Sequence, residues 1–131
     1  MFFLTTTERP DFTRPIIIYT AKVNETPVGT LELFNIDTDN HKAEFGLSFP
    51  VKPGLACIAA RMFLRKAFTE WGINRIYSKV LCANERAIGI ALRSGFEKEG
   101  IEKESLFRDG QYHDIFRISL LKRDFEERWG L

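Results

Sequence analysis

The order of helix and strand signals along the chain predicts an α/β (α+β) fold, in which one mixed sheet carries packed helices. Three observations predict it. Residues 55–71 repeat apolar side chains at helical spacing, a shorter helix runs from Asn84 to a stop at Gly95, and extended segments flank both. A strand, helix, strand order favours parallel pairing in the middle of the sheet and antiparallel hairpins outside it.

Taken in order, Met1 to Thr7 reads as a first strand. Glu8-Arg9-Pro10 through Arg14-Pro15 reads as a connection, because proline removes helix and ladder hydrogen bonds. Ile16 to Val23 is rich in β-branched and aromatic residues, Asn24 to Gly29 has turn chemistry, and Thr30 to Ile36 alternates as a strand does. Asp37-Thr38-Asp39-Asn40 turns a second hairpin into a returning strand, Ala43 to Phe49. In the long helix Ala60, Phe63, Leu64, Ala67, Phe68 and Trp71 share a face, with Arg61, Arg65, Lys66, Thr69 and Glu70 mainly opposite. Ile76 to Leu81 is the next strand.

Asn84 is a good N-cap for the shorter helix, and Ala87, Ile88, Ala91 and Leu92 fall on one of its faces. Gly95 supplies the left-handed residue that ends it. Phe96 to Ile101, Lys103 to Phe107 and Tyr112 to Leu121 complete the strands, with Asp109-Gly110 as a hairpin turn and Asp114 in a structural hydrogen bond. Phe125 and Trp129, four apart in a charged tail, cover either the domain or a partner.

A length of 131 residues holds one domain, 1–131, with one core. Nineteen basic against eighteen acidic residues give +1, so no global field draws nucleic acid or an anionic membrane, and any anion site is local. No apolar run approaches the roughly 20 residues of a membrane span. Met1-Phe2-Phe3-Leu4 lacks the basic start of a secretory signal, and Cys57 and Cys82 sit among apolar neighbours, which reads as a cytosolic protein with reduced, buried thiols. The scattered histidines and cysteines have no metal-ligand spacing.

Asparagine, two residues, alanine, seven residues and then Gly-Phe, as Asn84, Ala87, Gly95 and Phe96, followed by Glu99-Gly100, resembles the GNAT N-acetyltransferase superfamily. The resemblance extends over roughly Ile16 to Leu121. Gly54, Leu55 and Ala56 open a helix ending near Trp71-Gly72, a strand follows from Arg75, and Phe107 to Asp114 resembles the family's last hairpin. The branch that acetylates protein N-terminal amines is the nearest. What the resemblance implies is a twisted sheet splayed at its centre, acetyl-coenzyme A as co-substrate, and an amine acceptor, either a protein N-terminus or a small amine. It also implies a reduced N-terminal helical region, because the connection before Ile16 has no room for the two helices usual there.

Gly54 and Ala56 match the last two small positions of the family's phosphate motif, whose first position, glutamine or arginine, is Val51 here. On this resemblance the start of the helix, Gly54, Leu55 and Ala56, binds the pyrophosphate, with Lys52 as a nearby point charge; the same residues also make a plain helix start. Pro53 and the short loop from Phe49 to Gly54 remove amide donors. By the same resemblance Asn84 would contact the pantetheine arm or an ordered water, as well as capping its helix.

Acetyl transfer needs a neutral amine and a donor for the developing oxyanion, often with an acid for the leaving thiolate. The resemblance places Glu44, on the central strand, as first choice of base, with Glu32 on the neighbouring strand second. Pro50 has no N–H, so the amide of Leu47 or Phe49 is the oxyanion donor. The family's usual tyrosine acid is Ala91 here, so Ser48, Cys82 or water takes that role. The short loop, Val51, Pro53 and Ala91 also fit a second reading, a catalytically inactive GNAT-fold binding module or inhibitor. Such a protein would present Phe125 and Trp129, or form a homodimer that completes its sheet.

Overall fold

The structure, a computed structural model, describes residues 2–5, 16–50 and 53–130. The connection around Glu8 to Pro15, together with Val51 and Lys52, lies outside the described residues. The strands are β1 (Phe2–Thr5), β2 (Ile16–Val23), β3 (Thr26–Asp37), β4 (Lys42–Ser48), β5 (Arg75–Leu81), β6 (Glu97–Arg108) and β7 (Gln111–Leu121). The helices are α1 (Pro53–Glu70), α2 (Glu85–Arg93) and α3 (Lys122–Trp129). All described strands join one seven-stranded sheet in the order β1-β2-β3-β4-β5-β7-β6. Only the central β4–β5 pair is parallel, as expected when an α-helix crosses between two strands.

Strand alternation sorts the sheet into two faces. Ala21, Leu31, Leu33, Ala43, Phe45, Ile76 and Leu120 are buried on the face that carries the helices. There Phe63 of α1 meets Tyr19 edge-on at 5.5 Å and Phe45 at 5.8 Å, and Phe68 meets Phe125 of α3 at 5.2 Å. The opposite face is open among the described residues and leaves Ile18 about half exposed, at 49%.

Several boundaries differ from the sequence reading. Gly29 lies inside β3 rather than in a turn, because its missing side chain admits the ring of Phe49: a Cβ there would sit 2.6 Å from Phe49 Cγ and from the Ser48 carbonyl. The two strands read at Phe96–Ile101 and Lys103–Phe107 are one bulged strand, β6. Its bulge is held by Asp114 Oδ1, which accepts from the Glu104 N–H at 2.8 Å while Glu104 takes a left-handed φ of 51°. This is the structural hydrogen bond expected of Asp114.

On α2 the inward face is Ala87, Ile90, Ala91 and Ser94 rather than Ala87, Ile88, Ala91 and Leu92; Ile90 is buried and Leu92 exposed. Cys57 and Cys82 are only part-buried, not core residues. The charged tail is a helix whose Phe125 is fully buried, with Trp129 packed beside the core, so this pair covers the domain itself and presents no docking surface. No described helix is long and apolar enough to cross a membrane.

Candidate functional site

The β4–β5 ladder stops early. It pairs Lys42 with Arg75, Ala43 with Ile76 and Glu44 with Tyr77, and past Glu44 the strands diverge. At the apex the Ser78 hydroxyl donates to the Phe45 carbonyl at 2.8 Å, which replaces a ladder bond with a side-chain bond. That carbonyl therefore faces β5, and the two-residue period turns the Leu47 N–H and carbonyl toward the same unpaired edge.

The divergence opens a wedge of about 330 Å³. Glu32, Phe34, Glu44 and Gly46 line it from the open face, while Phe45, Ile90, Ala91 and Phe96 line it from the helical side. It thus connects the two faces of the sheet. Glu32 fits there because Gly46, its cross-strand partner, has no side chain: a Cβ on Gly46 would lie 2.8 Å from Glu32 Oε1.

Glu44 is oriented by a neighbour. A bulge between Phe34 and Asp37 puts Asn35 at a φ of 49°, a conformation asparagine tolerates, and Asn35 Nδ2 donates to Glu44 Oε1 at 3.0 Å. Burial, with the Glu44 charge beside it, pushes the Tyr77 phenol above its ordinary value. At the mouth, Asn84 Oδ1 caps α2 by accepting from the Ala87 N–H at 3.1 Å, which leaves its amide hydrogens as donors. Arg86 in the next turn donates to the Phe49 carbonyl at 2.7 Å and ties α2 to the chain beyond β4.

Of the residues singled out from the sequence, Glu32, Glu44, Leu47 and Asn84 come together in the wedge. Ser48, Phe49 and Cys82 do not line it. Ser48 is exposed at the end of β4, past the wedge, and the Phe49 ring is buried under Gly29. Gly54, Leu55 and Ala56 form the first turn of α1, behind proline at the first helical position, with no acidic residue in that turn. Space around Gly54 is open, with no protein atom within 4 Å of a Cβ built there. Lys52 lies outside the described residues.

Ser78 and Arg86 were not found from the sequence. A serine at an inward position of an apolar strand is a weak signal for Ser78, whereas nothing local marks Arg86, whose partner is 37 residues away. No group of three or more metal-ligating side chains occurs among the described residues.

In sequence and fold the chain is similar to known proteins. YdaF of Bacillus subtilis (strain 168), which carries a provisional name as a ribosomal N-acetyltransferase, is 35% identical over 102 residues, covering 75% of this chain and 55% of its own. Spermidine N(1)-acetyltransferase of Escherichia coli (strain K12) is 30% identical over 100 residues, or 74% of this chain and 54% of its own. This chain therefore spans little more than half the length of either relative. Among solved structures, spermidine N-acetyltransferase from Vibrio cholerae in complex with CoA and spermine matches with a TM-score of 0.81 at 25% identity, over 86% of this chain and 69% of that one. The family model described as an acetyltransferase (GNAT) domain matches residues 3–97, and the chain belongs to that family.

Proposed function

We propose that this chain transfers an acetyl group from acetyl-coenzyme A to a primary amine, by direct attack of the amine on the thioester. The observation that carries this reading is the wedge: unpaired strand edges open both to the helical side, where Asn84 stands, and to the sheet face bearing Glu32 and Glu44. Two reactants can enter from opposite faces and meet.

The residues fit the co-substrate. The amides of Gly54, Leu55 and Ala56, at the positive end of the α1 dipole, receive the pyrophosphate, and Asn84 donates to the pantetheine arm. The Leu47 N–H, on the unpaired edge of β4, donates to the thioester oxygen as charge develops there. Glu44, held by Asn35, takes the proton of the attacking amine directly or through one water. The N–C bond forms, the C–S bond breaks, and water in the open wedge protonates the thiolate. A terminal α-amine, with an ordinary pKa of about 7.7–8.0, needs little help from the base, and a protein N-terminus is the preferred acceptor.

Calorimetric titration with acetyl-coenzyme A tests the reading, using the protein and its Gly54→Glu variant. Binding with a Kd on the order of 1–100 μM is expected for the parent. The variant should lose binding while keeping its melting temperature, because the added side chain enters open space and its charge suits a helix N-terminus. Absence of heat for the parent, with an unshifted melting temperature at high ligand, overturns the reading in favour of an inactive binding module.

A further inference from the structure

On the open face a second, polar cavity of about 360 Å³ adjoins the wedge. Both are lined by Glu44, Ser78, Lys79 and Ile118, so they form one continuous depression. Its two ends differ in charge. Among the described residues lining the wedge, Glu32 and Glu44 stand against Lys79, a balance of −1. The groove sets Lys42, Arg75, Lys79 and Arg117 against Glu44, Glu99 and Glu102, a balance of +1.

The surplus charge is localised. Arg75 holds Glu99 with paired hydrogen bonds of 3.0 and 2.7 Å, and the Arg117 charge also reaches that carboxylate, more weakly. Glu102 faces both Lys79, at 3.5 Å, and Arg117 Nε, at 3.7 Å, and it also accepts the Ser105 hydroxyl at 2.8 Å. Arg117 is thus outside hydrogen-bond reach of its carboxylate. The Lys79 and Arg117 side chains are 49% and 58% exposed, and both form their ion pair with Glu102.

We propose that this groove is an acceptor subsite for an anionic group: the acceptor is a monoamine that carries a carboxylate a short distance from its amine, and not a polyamine. This rests on the acetyltransferase reading of the wedge. With Glu44 beside Tyr77 in register, Lys79 lies two residues further along β5. Two strand rises and one inter-strand spacing place it about 8 Å away. An extended peptide advances about 3.3–3.6 Å per residue, so an α-amine at Glu44 brings the side chain of its second or third residue to Lys79 and Arg117. A polyamine lying along the same path brings a second ammonium into a groove that already carries a surplus of positive charge.

The test compares acetyl transfer to a peptide with Ser followed by two Asp, the same peptide with two Lys, and spermidine, each as kcat/KM by thiol release. Two exposed charge pairs predict about a three- to tenfold preference for the acidic peptide at low ionic strength, shrinking as salt screens it. Arg117→Glu should reverse the order of the two peptides, and Arg117→Gln should narrow the ratio. Because the ratio is taken on one preparation, a loss of folded protein cancels.

Equal or better use of the lysine peptide or spermidine overturns the proposal. So does an unchanged ratio in Arg117→Glu, or a protein that binds acetyl-coenzyme A but acetylates none of the three. Failure to bind acetyl-coenzyme A removes instead the acetyltransferase reading on which the proposal rests.

Discussion

Gly29→Ala should destabilise the domain through a contact that has no trace in local sequence. A Cβ on Gly29 lies 2.6 Å from Phe49 Cγ and Cδ2 and from the Ser48 carbonyl oxygen. The ring is buried at 3% exposure and the carbonyl is backbone, so neither can move away as a flexible chain end does. Overpacking of this kind costs about 1–3 kcal/mol, offset by several tenths from the stiffer unfolded chain. The net is about 0.5–2.5 kcal/mol. For 131 residues at about 2.1 cal/mol/K each, the unfolding entropy is about 0.28 kcal/mol/K, so the melting temperature should fall by about 2–9 °C.

Thermal unfolding followed by circular dichroism reads this directly, with Gly54→Ala as the paired control, since its Cβ meets nothing within 4 Å. A Gly29→Ala protein melting within about 1 °C of the parent, or a Gly54→Ala protein melting as low as Gly29→Ala, would refute the steric argument. The same displacement should weaken acetyl-coenzyme A binding, because the Phe49 carbonyl is the anchor for Arg86.

Glu44→Gln keeps an acceptor for Asn35 but removes the base, so kcat/KM for an α-amine should fall by about 10²-fold near pH 7. The deficit should narrow above about pH 9, where the amine is already neutral; a constant deficit across pH removes Glu44 from proton transfer. Asn84→Ala deletes the α2 cap, costing about 1 kcal/mol or 3–4 °C, and should also raise the Kd for acetyl-coenzyme A. An unchanged Kd would confine Asn84 to capping. Hydrogen bonds from Arg75, then its charge, hold the Glu99 carboxyl below its ordinary value. A carboxyl lowered on folding contributes stability above the ordinary glutamate range and loses it as pH falls through the lowered value. Since both side chains are about a third exposed, the contribution stays below about 1 kcal/mol. Arg75→Met should flatten the acid side of the stability curve, read from melting temperatures between pH 3 and 6, and an unaltered slope would exclude the pair as its source.

The helices were legible because their signals are local. α1 shows its apolar face within its own residues, and α2 announces itself by a capping asparagine and a terminal glycine with a φ of 103°. Gly29 was misread because glycine serves turns and close approaches alike, and only the Phe49 ring, brought in by β4, distinguishes them. The break read between Ile101 and Lys103 is instead the start of a bulge within one strand, which local sequence does not show because the acceptor that holds it at Glu104 is Asp114 on the next strand.

The candidate site was legible only as types of residue on particular strands, because the wedge is a property of register between β4 and β5, which are joined through the whole of α1. No local pattern encodes where a parallel ladder stops. Here it stops where Ser78 satisfies the Phe45 carbonyl from the side, so the strands separate without leaving that group unpaired. Beyond it, the Leu47 amide and carbonyl face the wedge in the middle of a sheet, where burial without a partner would be costly. An extended ligand with amides of its own answers that requirement as a strand would, and the pantetheine arm is such a ligand. On the proposed function, the discontinuity that weakens the sheet is what would give the thioester a place to lie, with Ser78 and Arg86 holding its two ends.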